Sequence, residues 1–381
     1  MTRPFTNAMR RATELTQAGK LHEATAVVQS ALKGRPAQEG QAADGAITAE
    51  FTWLDPAGSV DVLRGFKTAR PRKALGETLR RIAAGGMPDS TAGQAPAVLN
   101  VPPGATFLSL SHRSRHGQRD YRLYTPARRA AKMPLIVMLH GCTQTPEDFA
   151  AGTGMNALAE EFGCLIAFPA QPSGANAQKC WNWFRSEDQV RDRGEPALIA
   201  GLTKDILRDH PADPNRIYIA GLSAGGAAAA ISASAYPEIF SAVGVHSGLA
   251  VGAATDVPSA FAAMRSGSAG KRLKASCPTI VFHGLDDTTV SPGNGRAVFD
   301  QAAGHVSGLT KTVVDQKSGA GRGVRRTRFA DGQDRSFAEL WEIDGAGHAW
   351  AGGKPDASYT DPKGPDASRE MLRFFLQHSK A

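Results

Sequence analysis

The chain has 381 residues, and its 44 Lys and Arg against 36 Asp and Glu give a net charge of +8. With 41% hydrophobic and 21% charged residues the composition is that of an ordinary globular protein, so a core can form without disulfides. No apolar run approaches the roughly 20 residues needed to span a bilayer, and the basic residues are scattered, which argues against a nucleic-acid-binding arm.

Residues 1–34 carry apolar side chains at helical spacing, interrupted at Gly19 and ended by Gly34, which predicts a helical hairpin. The pattern is similar to one tetratricopeptide unit, but no second copy follows and a solenoid needs about three repeats. We therefore expect an isolated hairpin packed on the main domain or on a partner. The first 30 residues contain charges throughout and no apolar block, so no secretory signal is present, and we expect a cytoplasmic location.

Residues 35–104 are weakly patterned and rich in Pro, Gly and Ala, which indicates a linker-like segment. A basic run, RGFKTARPRKALGETLRR, occupies residues 64–81. We interpret it as a solvated surface segment, with contact to an acidic partner or to phosphates as the alternative.

From residue 105 to residue 381 the pattern becomes regular. ATFLSLSHRS and RDYRLYTP predict a pair of antiparallel strands. Continuous apolar runs predict buried strands at PLIVMLHG, CLIAFPA, RIYIAGL, FSAVGVHSG, PTIVFHG and ELWEIDG. Helical patterns occur at MNALAEEFG, EPALIAGLTKDILRDH and ASREMLRFFLQH. Strands that alternate with helices predict an α/β domain with a mostly parallel central sheet and helices on both faces.

The sharpest functional signal is the pattern G-x-S-x-G at residues 221–225. It lies between an apolar strand and an Ala-rich helix, which is the setting that a nucleophilic serine on a tight turn requires. Such a turn raises the hydroxyl of Ser223 above the carboxyl edge of the sheet, and the following helix offers free N–H groups. The pentapeptide alone is weak, and a merely structural turn is the alternative.

A serine needs a base, and the base needs an acid to orient it. His348 follows the strand ELWEIDG, and Asp287 follows the strand PTIVFHG in the pattern H-G-x-x-D-x-x-V. Both therefore follow strand ends, where loops converge on the site. Asp286 is the alternative acid, and Asp344 could instead cap a local turn.

Three further histidines, His140, His246 and His283, each close a strand. We interpret them as supports that hold the strand-end loops through hydrogen bonds to the backbone. The sequence contains no C-x-x-C spacing, so we expect no metal site and no cofactor.

The second half of an oxyanion hole should follow the first buried strand. LHGCTQ places the N–H of Cys142 there, and with the N–H of Ala224 it would receive the oxyanion. We call residues 140–144 the oxyanion loop. A thiol nucleophile at this position is rejected, because it would need its own base and no serine turn.

The segment KCWNWF brings Trp181, Trp183 and Phe184 together. Aromatic faces in an exposed loop could bind an apolar chain or a ring, and packing of the loop onto the domain is the alternative.

The four cysteines leave two possibilities open. A bridge from Cys142 to Cys180 would join the aromatic segment to the oxyanion loop. The absence of a secretory signal in the chain as given favours free thiols as the alternative. Cys164 and Cys277 flank strands and are interpreted as buried thiols.

Several long blocks resemble, in order, the polyhydroxybutyrate depolymerase family of esterases. They are LHGCTQTPEDFAAGTGMNALAEEFG, QKCWNWF, DPNRIYIAGLSAGGAAAA, VGVHSGL, GAGHAWAGG and YTDPKGPDASREMLRFF. The resemblance covers about residues 105–380 and implies an α/β-hydrolase fold, related to feruloyl and acetylxylan esterases. It also implies specific roles: Ser223 as nucleophile, Asp287 as acid, His348 as base, and Cys142 and Ala224 as oxyanion donors. Trp350, close to the base, joins Trp181 and Trp183 as a candidate substrate-binding aromatic.

We therefore expect a serine esterase that acts on short-chain hydroxyalkanoate esters, polymeric or oligomeric, with no nucleic-acid partner. A feruloyl, acetylxylan or general short-chain carboxylesterase would use the same triad, and acyl transfer to another acceptor is a more distant alternative. A non-catalytic protein that binds a granule or a partner is the alternative from another class. Because many members of the family are secreted, an extracellular location is the alternative to a cytoplasmic one.

Overall fold

The computed structural model of the protein describes residues 99–273, 275–317 and 321–380. The hairpin expected at 1–34 lies outside the described residues, as does nearly all of the segment 35–104. None of the described helices is both long and apolar enough to cross a membrane.

The described residues form one large sheet, a two-stranded ribbon and seven α-helices. The strands of the sheet are β1 (Thr106–Ser114), β2 (Gly117–Thr125), β3 (Met133–Leu139), β4 (Leu165–Pro169), β5 (Ala212–Leu222), β6 (Ala242–His246), β7 (Thr279–Gly284), β8 (Thr310–Lys317), β9 (Gly323–Ala330) and β10 (Ser336–Ile343). The ribbon pairs β11 (Trp350–Ala351) with β12 (Thr360–Asp361). The helices are α1 (Pro146–Thr153), α2 (Met155–Phe162), α3 (Gly194–Asp209), α4 (Ala224–Ala235), α5 (Val257–Ser266), α6 (Gly293–Ala303) and α7 (Ala367–Phe375).

The strand order is β1-β2-β4-β3-β5-β6-β7-β10-β9-β8. The six strands from β4 to β10 pair in parallel, and an antiparallel pair extends the sheet at each side. The predicted mostly parallel sheet and the predicted β1–β2 hairpin are therefore confirmed. The sequence patterns did not predict β8 and β9, which extend the sheet beyond β10.

The core has two layers because alternate residues of a buried strand point to opposite faces of the sheet. In β3, Leu135 and Val137 belong to one apolar cluster, and Ile136 and Met138 belong to the other. Helices α3, α4 and α6 supply apolar residues to the first cluster, and α1, α2 and α7 supply the second. Both faces of the sheet are thus covered, as the pattern of buried strands predicted.

This topology brings the candidate residues together. Parallel strands carry their carboxyl ends at the same edge of the sheet, and loops at that edge form the site of open α/β folds. The residues that follow β3, β5, β7 and β10 at this edge include Cys142, Ser223, Asp287 and His348.

Candidate active site

Ser223 occupies a strained turn between β5 and α4. Its backbone has φ 58° and ψ −120°, in the half of conformational space that L-residues rarely adopt. Its N–H donates to the carbonyl oxygen of His246, 2.8 Å away, which ties the turn to the end of β6. The residue is partly exposed, so the bend presents a reachable hydroxyl.

The glycines on either side of the serine are required by space. A Cβ at Gly225 would overlap the carbonyl oxygen of Leu139, and a Cβ at Gly221 would overlap the backbone of Gly225. The start of α4 therefore packs directly against β3 and β5. The spacing of the G-x-S-x-G pattern follows from this close approach of backbones.

His348 and Asp287 form a hydrogen-bonded pair. The Nδ1 of His348 lies 2.7 Å from the Oδ2 of Asp287, whose side chain is fully buried. The other oxygen, Oδ1, accepts the N–H groups of Thr289 and Val290 at 2.9 and 2.8 Å. Burial alone would raise the pKa of Asp287, but hydrogen bonds from His283, His348 and the backbone of Val290 hold it well below its usual range. The carboxylate is therefore ionised and accepts the Nδ1–H of His348.

That tautomer leaves Nε2 of His348 as the basic atom. Among the described residues no hydrogen bond joins Ser223 Oγ to His348, and Nε2 has no protein partner. Such contacts often tighten only when substrate binds.

Asp286, the alternative acid, is exposed, and its carboxylate makes no contact with His348 in the described part of the chain. The pairing thus favours Asp287 as the acid, while the catalytic roles stay predictions.

Two backbone N–H groups are available for an oxyanion. Ala224 is the first residue of α4, so its N–H has no acceptor within the helix. The N–H of Cys142 also has no acceptor among the residues that the structure describes. Both predicted donors are therefore free to bind an oxyanion.

His140 fixes the orientation of the second donor. Its Nδ1 lies 2.7 Å from the carbonyl oxygen of Gly141, and its Nε2 accepts the N–H of Gln171 at 3.1 Å. Burial lowers the pKa of His140 to about 4, so the ring is neutral and can donate at one nitrogen and accept at the other. Because a trans peptide points its C=O and N–H in opposite directions, anchoring the Gly141 carbonyl aims the Cys142 N–H away from His140.

The other two strand-end histidines also hold the backbone. His246 Nε2 accepts the N–H of Ala351 at 2.9 Å, and burial lowers the pKa of this ring to about 3. His283 Nε2 lies 2.9 Å from the carbonyl oxygen of Val290. The prediction that His140, His246 and His283 support strand-end loops is confirmed.

Cys142 and Cys180 form a disulfide, which decides between the two possibilities that the sequence left open. The bond fastens the KCWNWF segment to the oxyanion loop. Cys164 and Cys277 are free and buried, as predicted.

The substrate-binding interpretation of the tryptophans is contradicted by their burial. Trp181 is 0%, Trp183 5% and Trp350 1% exposed. The indole N–H of Trp181 donates to the carbonyl oxygen of His140, and that of Trp350 donates to Ser368 Oγ, both at 3.0 Å. These rings pack the loops onto the domain, which was the alternative interpretation. Phe184 alone in this set is partly exposed.

A buried polar network behind the oxyanion loop was not predicted. Glu195 accepts the N–H of Asn182 at 2.8 Å and the side-chain amide of Gln171 at 2.5 Å. Gln171 also accepts a hydrogen bond from Arg119, and its backbone N–H is the one that His140 accepts. Burial raises the pKa of Glu195 to about 7. An acidic residue in the first turn is common in α-helices because it interacts favourably with the N-terminal end of the helix dipole. Nothing in the sequence therefore distinguished Glu195 from such a residue.

Gln144 is a second residue that sequence reasoning missed. Its Oε1 accepts the N–H of Gly141 at 2.9 Å, and its Nε2 donates to Asp148 at the same distance. The hydroxyl of Thr143 lies 3.2 Å from that of Tyr359. The oxyanion loop is thus held on several sides before any ligand binds.

Among the described residues no group of three or more His, Cys, Asp or Glu could hold a metal ion.

Residues 119–302 match the family model described as Esterase PHB depolymerase. The match covers just under half of the chain. Poly(3-hydroxyalkanoate) depolymerase C of Paucimonas lemoignei is 31% identical over 277 residues, which cover 67% of this chain and 64% of that protein. Feruloyl esterase B of Thermothelomyces thermophilus is 28% identical over 190 residues, which cover 45% of this chain and 64% of that protein.

The chain thus spans less than two thirds of the length of these two relatives. Among solved structures, an acetyl xylan esterase from Aspergillus awamori aligns with a TM-score of 0.52 at 18% identity, over 68% of this chain and 94% of that one. This likeness concerns the fold alone. The described residues have the α/β-hydrolase fold.

Proposed function

We propose that this PHB depolymerase family domain is a serine esterase in which Ser223, His348 and Asp287 form the catalytic triad. The observation that carries the proposal is the His348–Asp287 hydrogen bond of 2.7 Å, at the same sheet edge as the strained Ser223 turn. A buried, ionised carboxylate beside the imidazole is what a general base for serine requires.

In the acylation step, Nε2 of His348 takes the proton of Ser223 as Oγ attacks the ester carbonyl carbon. Asp287 stabilises the imidazolium that forms, and the N–H groups of Cys142 and Ala224 bind the oxyanion. When the carbonyl re-forms, the C–O bond to the alcohol breaks and His348 returns its proton to the alcohol oxygen. An acyl-enzyme remains on Ser223.

In the deacylation step, a water molecule gives its proton to His348 and attacks the acyl carbon. The second oxyanion binds in the same place, and its collapse releases the carboxylic acid and returns the proton to Ser223. General acid–base transfer of this kind contributes typically about 10²–10⁴-fold to the rate.

For the substrate, we propose short-chain hydroxyalkanoate esters, supported by the family match and by the depolymerase relative. The feruloyl esterase relative, together with a similar protein named probable acetylxylan esterase A, supports a second candidate, a feruloyl or acetylxylan ester. Turnover of poly(3-hydroxybutyrate) film, methyl ferulate and acetylated xylan, measured side by side, separates the two. Release of 3-hydroxybutyrate units without turnover of the other two substrates is the expected result.

The test of the mechanism is Ser223→Ala. The variant should lose p-nitrophenyl ester turnover and labelling by a fluorophosphonate probe, while its circular dichroism spectrum matches that of the wild type. Ser234→Ala, on the same helix and without a role in the proposal, is the matched control and should keep both activities. Retained turnover in Ser223→Ala would refute the assignment.

A further inference from the structure

Gln171 is a buried residue that follows β4, the strand next to β3 in the sheet. Because β3 and β4 are parallel, Gln171 lies at the same sheet edge as the oxyanion loop. It takes no part in the proposed chemical steps. It nevertheless contacts both of the segments that hold the candidate oxyanion donor Cys142.

The first contact is made by the backbone of Gln171. Its N–H donates to Nε2 of His140 at 3.1 Å. Because a backbone N–H can only donate, Nε2 carries no proton, and the neutral ring must carry its proton on Nδ1. Nδ1 therefore donates to the carbonyl oxygen of Gly141, 2.7 Å away, which belongs to the same peptide unit as the N–H of Cys142. Gln171 thus selects the tautomer that holds this peptide.

The second contact is made by the side chain of Gln171. One N–H of its amide donates to the carbonyl oxygen of Cys180 at 2.9 Å. Cys180 is in turn bonded to the side chain of Cys142. The same residue therefore holds the oxyanion donor by two routes, one through the peptide of Cys142 and one through its side chain.

Two buried charged residues fix the amide of Gln171. Its Nε2 also donates to Glu195, and its Oε1 accepts from Arg119. A guanidinium can only donate and the carbonyl of Cys180 can only accept, so these partners allow one orientation of the amide. The amide supplies the two donors and the one acceptor that the three partners require, which a carboxylate or a thioether of similar length does not.

We infer that Gln171 is a positioning residue that directs the N–H of Cys142 toward the oxyanion, and that Arg119 and Glu195 hold Gln171 in place. The inference rests on the proposed function, because Cys142 is an oxyanion donor only if the chain is an esterase. An oxyanion hole stabilises the transition state more than the bound ester, and donors that are already in place need no reorganisation. Loss of the Gln171 side chain should therefore lower kcat and leave KM nearly unchanged.

The kinetic test is Gln171→Met, which keeps the backbone N–H and the length of the side chain but removes its three hydrogen bonds. For a p-nitrophenyl ester, kcat should fall by about 10- to 100-fold, less than the roughly 10²–10³-fold loss of a whole oxyanion donor, and KM should change by less than about twofold. Binding of a trifluoromethyl ketone, whose hemiketal oxygen takes the place of the oxyanion, should weaken by the same factor as kcat/KM. If kcat is kept, or if KM rises as much as kcat falls, the inference is overturned.

Gln301→Met is the matched control. The side chain of Gln301 on α6 also makes three hydrogen bonds to backbone, with the N–H and the carbonyl oxygen of Val251 and with the carbonyl oxygen of Lys271. In the described part of the chain neither partner is hydrogen-bonded to the oxyanion loop. Gln301→Met should lower the free energy of unfolding and keep kcat, and equal losses of kcat in the two variants would overturn the inference.

Nuclear magnetic resonance separates this inference from the proposed function. In the wild type, Nε2 of His140 should have the ¹⁵N chemical shift of an unprotonated nitrogen, and a protonated Nε2 would overturn the inference whether or not any variant folds. The amide resonance of Cys142 should shift in Gln171→Met and stay in place in Gln301→Met. Gln171→Asn, whose amide is one methylene shorter, serves for the same measurements if Gln171→Met does not fold. If the wild type hydrolyses no ester but these resonances behave as expected, the esterase proposal fails and the positioning of Cys142 by Gln171 stands.

Discussion

The indole N–H of Trp181 donates to the backbone carbonyl oxygen of His140, 3.0 Å away in the interior of the domain. His140 directly follows β3 and begins the oxyanion loop. Trp181 directly follows Cys180, which forms the disulfide with Cys142. Two separate attachments, one covalent and one a buried hydrogen bond, therefore join the same two loops. The candidate oxyanion donor Cys142 is itself one end of the covalent attachment, two residues after His140.

Trp181→Phe should lower both stability and kcat. The variant leaves the buried carbonyl of His140 without this donor and creates a small cavity, which together cost about 1–3 kcal/mol in the free energy of unfolding. Because the oxyanion loop loses a support, kcat should fall more than KM rises. Urea unfolding and steady-state kinetics on a p-nitrophenyl ester measure the two effects.

Trp183→Phe is the control, because Trp183 is also buried but its indole N–H has no partner among the described residues. It should lose packing against Phe184 without a selective effect on kcat. Equal losses of kcat in the two variants would contradict the positioning role of Trp181.

Much of the fold was predictable because its central strands are buried on both faces. Every residue of β3 and β4 is buried, and such strands appear in the sequence as continuous apolar runs. Strand β8 has eight exposed residues, so neither an apolar run nor a clean alternation marked it. Its existence depends on pairing with β9, which is a tertiary contact.

The candidate site was predictable where position along the chain decides the geometry. Ser223, Asp287 and His348 each follow a parallel strand, and the topology alone brings such residues to one edge. The tryptophans were misjudged because composition does not say whether a loop aromatic faces solvent or the core. Glu195 was missed because the partners that matter to it, Gln171 and Asn182, come from other segments.

Removal of the disulfide should slow the enzyme as well as destabilise it. The bond closes a loop of 38 residues, for which a chain-entropy model gives about 3–4 kcal/mol. Cys142→Ser/Cys180→Ser should unfold at a lower temperature and have a lower kcat. Dithiothreitol should reproduce both effects in the wild type and should have no effect on the double variant. A wild type that keeps its full kcat after complete reduction would rule out a role of the bond in holding the oxyanion loop.

Gly225→Ala tests the packing below the serine. The new methyl group would overlap the carbonyl oxygen of Leu139, so the start of α4 must shift, at a cost of at least about 1–3 kcal/mol. The turn that holds Ser223 should shift with it, and fluorophosphonate labelling should slow. Gly174→Ala is the matched control, because a Cβ there meets nothing within 4 Å. Thermal unfolding and labelling rates check both, and wild-type labelling in Gly225→Ala would count against the required close approach.

Asp287→Asn should reduce kcat by roughly 10⁴-fold, the effect seen when the acid of a serine triad is replaced by its amide. The asparagine side chain carries no charge. The imidazole of His348 therefore loses both the carboxylate that orients it and the negative charge that stabilises its protonated form. Asp286→Asn changes the same charge one residue away and should keep most activity. The opposite ranking of the two variants would make Asp286 the acid.

The loss of stability caused by Asp287→Asn should depend on pH in a defined direction. The pKa of Asp287 is held well below the ordinary value of about 3.9, so its carboxylate stabilises the folded state above that pH, and this contribution is lost as the pH falls toward the folded pKa. The variant lacks the contribution at every pH. The difference in free energy of unfolding between the wild type and Asp287→Asn should therefore be constant from about pH 7 to pH 5 and should shrink below about pH 4. Urea unfolding at pH 7, 5 and 3.5 measures it, and a difference that does not shrink at pH 3.5 would mean that the carboxylate is not held ionised by His283 and His348.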